Sequence, residues 1–174
     1  IFSGTQDIEK AIGIALEIEK AQENSKNEKL LEGIATLRNS LLKNILNNIK
    51  EAKLNGYFNE NEWKSEKHNI KKEERNPKRV PSNISVWLPD FPSDEMIIRL
   101  DKRGFAISAG SACSAKSDEY SHAIFALYKN KMKKNEAEKI ARESIRISID
   151  KNTKEEDLND FVRALKDIYY KFRK

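Results

Sequence analysis

Ser144-Ile145-Arg146-Ile147-Ser148-Ile149 alternates polar and apolar residues at every step. A period of two puts Ile145, Ile147 and Ile149 on one face of a strand and Ser144, Arg146 and Ser148 on the other, so the strand is half-buried. Such a strand needs neighbours, and two further stretches read as strands. Asn83-Ile84-Ser85-Val86-Trp87-Leu88 is rich in β-formers and is punctuated by Pro89 and Pro92. Phe105-Ala106-Ile107 is shorter and follows Gly104. Helical spacing fills the rest. Thr5 or Asp7 caps a helix carrying Ile8, Ala11, Ile12, Ala15, Leu16 and Ile18. A second helix is expected from Asn27 to Leu54, with a stripe of Leu30, Leu31, Ile34, Leu37, Leu41, Leu42, Ile45 and Ile49, stopped by Asn55-Gly56. Ser93 or Asp94 starts a short helix through Met96, Ile97 and Leu100, and Ser121–Tyr128 and Asn135–Arg142 read as two more. Asn152 or Thr153 caps a last helix whose core face is Leu158, Phe161, Val162, Leu165, Ile168 and Tyr169. The order predicts an α+β domain with a small antiparallel sheet of about three strands covered by helices.

The chain has 174 residues, which suits one domain, with 38% hydrophobic and 35% charged residues. Its mean hydropathy is −0.77. There is no apolar run of the roughly 18 residues that a spanning helix needs, so no membrane role is expected. No charged-then-apolar leader opens the sequence, and a single cysteine forms no internal disulfide; a reducing, cytoplasmic setting is expected. Ile1-Phe2-Ser3-Gly4 reads as the interior of a longer protein. Lys and Arg total 33 against 28 Asp and Glu, a net charge of +5. The basic residues are spread rather than focused. The densest stretch, Lys64 to Arg79, lacks spaced aromatics and any groove-reading helix pattern. It reads as a solvated insertion within residues 57–80, and no nucleic-acid partner is expected.

One segment stands apart. In Ser108-Ala109-Gly110-Ser111-Ala112-Cys113-Ser114-Ala115-Lys116-Ser117 every residue but Lys116 is small or a thiol, and Cys113 is the only cysteine of the chain. Residues this small bury little surface, so the loop is expected to move. Two readings of Cys113 stand side by side: a reactive thiol in an accessible polar loop, or a small buried hydrophobe.

The stretch Ser108-Ala109-Gly110-Ser111-Ala112-Cys113 resembles the active-site loop of the cysteine desulfurases, pyridoxal-phosphate enzymes of the class V aminotransferase group, and points to their iron–sulfur-assembly branch. Three other segments agree in order and spacing: Ser3-Gly4-Thr5 at the start, Ser121-His122 after the loop, and Ser144 to Ser148 followed by Asn152-Thr153-Lys154-Glu155-Glu156. Asn83-Ile84-Ser85 is similar to the family's Asn-x-Ser strand. The resemblance covers essentially the whole chain but only the C-terminal half of the family. It implies the small C-terminal domain of a fold type I pyridoxal-phosphate enzyme at 27–174, preceded by a linking segment and helix at 1–26.

The resemblance further implies that Cys113 is the nucleophile that takes sulfur from L-cysteine as a persulfide. The persulfide then passes to an iron–sulfur scaffold or another acceptor, for cluster assembly or tRNA thiolation. A transient iron–sulfur ligand is the one metal role open to Cys113. Arg146 matches the arginine that clamps the substrate carboxylate; read from the strand alone, it is an ordinary surface arginine. Thr5 matches a residue that reaches the cofactor phosphate of the partner subunit in the family homodimer, and a plain helix cap is the alternative. His122 reads as structural. The family's Schiff-base lysine lies upstream of the match, so the chain alone is expected to hold no pyridoxal phosphate covalently and to be inactive without the N-terminal cofactor domain. Phe2 stands where the family has Arg, Asp150-Lys151 where it has Gly-Arg, and Tyr57 to Arg79 is longer than the usual connection. A partner-docking module without catalysis and a fragment of another class V aminotransferase are the competing readings.

Overall fold

Caps and periodicity set the element order in the computed structural model, which describes residues 7–58, 79–109 and 120–173. Helix α1 (Ile8–Lys26) starts at Asp7, whose carboxylate accepts from the Lys10 N–H at 3.0 Å. Asn27 ends α1 and caps α2 (Glu28–Asn48) by accepting from the Leu30 N–H at 3.0 Å. Then come β1 (Lys53–Leu54), β2 (Asn83–Trp87), α3 (Ser93–Asp101), α4 (His122–Tyr128), α5 (Lys134–Arg142), β3 (Ser144–Ser148) and α6 (Glu155–Phe172). Among the described residues this is six helices and one antiparallel sheet of order β1-β2-β3. No helix among them is long and apolar enough to cross a membrane.

The α+β architecture and the two longer strands are as the sequence predicts, but the third strand is not. Phe105-Ala106-Ile107 forms no strand. Phe105 turns into the core against Phe161 at 5.6 Å between ring centroids, so only Ser108 reaches the sheet, as an isolated antiparallel bridge to Arg146. The third strand is instead Lys53–Leu54, within the stretch expected to be helix. The helix stops at Asn48, and the chain turns so that Lys53 pairs with Trp87 and Leu54 with Val86. Gly56 therefore serves the turn after β1, at φ +81°, and not a helix end. Two caps also move: Pro92 precedes α3, and Lys154 precedes α6, because Asn152 and Thr153 are engaged by Asp150 in the turn after β3.

The register sends the two sheet faces to different fates. Ile84 and Val86 lie opposite Ile147 and Ile145, and all four are buried among α2, α3 and α6 with Leu41, Ile45, Leu100 and Leu165. The six apolar residues expected on α6 are all buried. Each fully buried Leu or Ile contributes about 1.5–3 kcal/mol by removal from water. The opposite face carries Asn83, Ser85 and Trp87 of β2 and Ser144, Arg146 and Ser148 of β3. Helices α4 and α5 cover its Trp87 end with Ile124, Ile140 and Ala141, joined by Tyr120, Phe125, Tyr128 and Met132. In contrast to α2, α1 has no buried residue: Ile8, Ile12, Ile14, Leu16 and Ile18 are all exposed.

Candidate functional site

The polar sheet face is built around one buried amide. Asn55 is 2% exposed. Its Nδ2 donates to the hydroxyls of Ser85 at 3.0 Å and Ser144 at 2.9 Å, and its Oδ1 accepts from the Tyr128 hydroxyl at 3.0 Å. Its main-chain N–H donates to the Ser85 carbonyl at 2.9 Å, while its own carbonyl accepts from Arg79. The Ser144 hydroxyl in turn donates a hydrogen bond to the Ile140 carbonyl at 2.6 Å. Every polar atom of the Asn55 side chain is thus used, as a buried amide requires. Burial pushes the Tyr128 phenol above its ordinary pKa, which keeps it a donor to Asn55.

Arg146 stands beside this network. On one side β2 places Ser85 directly across from it; on the other, Ser108 pairs with it at the free edge of β3. The Ser108 N–H donates to the Arg146 carbonyl at 3.1 Å and the Arg146 N–H to the Ser108 carbonyl at 2.6 Å. The Arg146 Nη2 donates to Ser108 Oγ at 3.1 Å. Its Nε is buried and bonds nothing, although a buried guanidinium N–H without an acceptor is costly. Among the described residues Arg146 forms no ion pair with a carboxylate, and of its guanidinium nitrogens Nε is buried without a partner.

The structure thus puts Arg146 on the polar face that the alternation of β3 predicts, with Ser144 and Ser148. It places Ser108, the first residue of the small-residue stretch, in contact with Arg146. Cys113 and Thr5 lie outside the described residues. His122 is exposed and sits edge-on to Tyr120 at 5.7 Å, in the first turn of α4. Asn55 and Tyr128 were not legible as site residues. The only local signal at Asn55 is the following glycine, which suits a helix end as well as a turn.

The β1 ammonium of Lys53 lies over the Trp87 ring at 4.8 Å. The groups shown at paired positions beside Arg146 are the two serines, Ser85 and Ser108. This set suits the carboxylate of a small substrate. No group of His, Cys, Asp and Glu among the described residues could hold a metal ion. A groove of about 420 Å³ between α3 and α6, lined by Ile98, Arg99, Ile168 and Phe172 among others, shares no residue with the polar face.

No protein-family profile matches the chain. It is 28% identical over 171 residues to the cysteine desulfurase IscS of Dictyoglomus turgidum, covering 98% of this chain and 36% of that protein. It is 26% identical over 169 residues to the IscS-like cysteine desulfurase of Mycobacterium tuberculosis, covering 95% of this chain and 35% of the relative. A solved NifS-like protein from Rickettsia africae superposes with a TM-score of 0.62 at 20% identity, over 97% of this chain and 36% of its own. A second NifS-like protein gives a TM-score of 0.61 at 23% identity, over 98% of this chain and 35% of its own. The chain therefore spans little more than a third of the length of the curated relatives it matches, 36% for the first of them. Over nearly its whole length it is similar to the C-terminal part of cysteine desulfurases, and it has the fold of the matching part of the NifS-like structures.

Proposed function

We propose that this chain is the C-terminal part of a cysteine desulfurase, with a linking segment and helix at 1–26 and a small domain at 27–174. Arg146 receives the carboxylate of L-cysteine, and Cys113 takes the sulfur. The observation that carries the reading is the buried, unpartnered Nε of Arg146 beside Ser108, the residue that opens the cysteine-bearing loop. A guanidinium donates two parallel bonds to a carboxylate, and an Nε left without an acceptor is suited to one of them. Cys113 lies five positions after Ser108, and an extended stretch of that length spans at most about 18 Å. The thiol is therefore tethered within reach of a substrate held at Arg146.

In the sulfur-transfer step the Cys113 thiolate forms a sulfur–sulfur bond to the substrate as the substrate's carbon–sulfur bond breaks. The electron pair of that bond stays on carbon, which takes a proton and leaves as alanine. A loop of small residues then lets the persulfide move to an acceptor, an iron–sulfur scaffold or another sulfur-accepting protein. Pyridoxal phosphate belongs, in this reading, to the upstream part of the parent, with Thr5 contributing to its phosphate across a homodimer. The isolated chain is then inactive.

The test uses the full-length protein that contains this sequence. Alkylation of the persulfide and mass mapping should locate it on Cys113, and Cys113→Ser should abolish it while substrate binding persists. Arg146→Ala should raise KM for L-cysteine about ten- to hundredfold, as expected for loss of charge-assisted hydrogen bonds. Sulfide release by Cys113→Ser at the parent rate would remove Cys113 from the reaction. A full-length protein that never forms a persulfide would favour the docking-module alternative.

A further inference from the structure

We infer that Ser108 is a positioning residue for Arg146; the inference rests on the carboxylate-binding role proposed above. Arg146 lies between two serines at paired positions, Ser85 on β2 and Ser108 at the free edge of β3. The two hydroxyls are used differently. That of Ser85 accepts from Asn55 at 3.0 Å, and that of Ser108 accepts from the Arg146 Nη2 at 3.1 Å. Ser108 is also bound to Arg146 by two main-chain hydrogen bonds, 3.1 and 2.6 Å long, so the hydroxyl is held at a set place relative to the arginine's own backbone.

A long, flexible side chain anchored at its backbone and again at Nη2 loses most of its rotamer choice before any ligand arrives. Because the guanidinium is planar, fixing Nη2 also fixes the direction of the Nε–H, the group left without an acceptor. A substrate carboxylate then binds without first having to order the arginine, which is where preorganisation strengthens binding. The same bridge sets the point at which the Cys113 loop leaves the sheet. One residue thereby ties the carboxylate-binding group to the start of the loop carrying the thiol.

In the full-length protein, Ser108→Ala should raise KM for L-cysteine about tenfold, the loss expected for one hydrogen bond to a charged group, with kcat at saturation little changed. The inhibition constant of cysteamine, which has the amine and thiol but no carboxylate, should not move. Ser108→Thr, which keeps the hydroxyl, should restore KM. A merely structural defect would weaken L-cysteine and cysteamine alike. If Arg146→Ala raises KM and Ser108→Ala does not, the positioning role is wrong and the carboxylate reading stands. If Arg146→Ala leaves KM unchanged, both fall. A measurement independent of any variant is the nitrogen-15 NMR signature of the Arg146 guanidinium in the chain. Slow rotation, with separate Nη resonances, is expected, and a freely rotating guanidinium overturns the inference.

Discussion

The two faces of the sheet come from the same strands and obey opposite rules. On one, Ile84, Val86, Ile145 and Ile147 meet α2, α3 and α6 and are at most 5% exposed. On the other, Ser85, Ser144 and Arg146 meet Asn55, Tyr128 and Ser108 through hydrogen bonds of defined direction. The apolar face is satisfied by any filling of the right volume, whereas the polar face is satisfied only by particular partners. The apolar face is also complete, while the polar face keeps one donor waiting at Arg146 Nε. Apolar burial is thus concentrated on one face and the unspent hydrogen-bonding capacity on the other.

The sharpest division is expected from Leu165→Ala, which empties a fully buried site of α6 on the apolar face. It should lower unfolding free energy by about 2–5 kcal/mol in urea titration. Asn55→Ala should follow. It strands the Tyr128 phenol and the Ser85 hydroxyl and should cost about 2–3 kcal/mol, and a value near zero would show that the amide network is not what holds β1 to the polar face.

Tyr169 tests the apolar face where it carries a polar atom. Its ring is fully buried and its hydroxyl donates to the Pro89 carbonyl at 2.9 Å. Tyr169→Phe should therefore cost about 1 kcal/mol. Burial pushes the Tyr169 phenol up to about 12 from its ordinary 10. The fold thus favours the protonated phenol; the stability this contributes is complete below pH 10 and is lost as pH rises from 10 to 12. Alkaline unfolding of the parent in that window should be blunted in Tyr169→Phe. The smallest stability change is expected at Arg146. Arg146→Ala removes an unsatisfied buried donor together with one hydrogen bond to Ser108, so its unfolding free energy should stay within about 1 kcal/mol of the parent. A loss of several kcal/mol would make Arg146 a structural residue and erase the contrast between the faces.

Much of this was legible from local pattern. The alternation of Ser144 to Ile149 assigns Arg146 to the polar face, and helical spacing on α6 names its buried residues, because both depend on neighbours two to four positions away. The misses share a cause. The β1 strand has two residues and exists only through pairing with Val86 and Trp87, more than thirty positions along the chain. Phe105 to Ile107 has strand-like composition but is diverted by the packing of Phe105 on Phe161. The apolar spacing of α1 predicts a helix, and a helix forms; the same spacing does not tell what, if anything, covers it.

The amino-acid sequence by itself determined the α+β class, the helices, the two main strands, the face on which Arg146 stands and the lone thiol in a stretch of small residues. Only the tertiary structure decided that Asn55 is the buried centre of the polar face, that Ser108 holds Arg146, and that the arginine's Nε is left without a partner. The physical reason is range. Periodicity and capping act over one or two turns of chain, whereas the bonds from Asn55 to Ser85, Tyr128 and Ser144 close separations of 30, 73 and 89 residues, and the bond from Arg146 to Ser108 one of 38. Hydrogen bonds of that span carry no local signature, because each donor meets its acceptor only after the hydrophobic face has fixed where the strands lie.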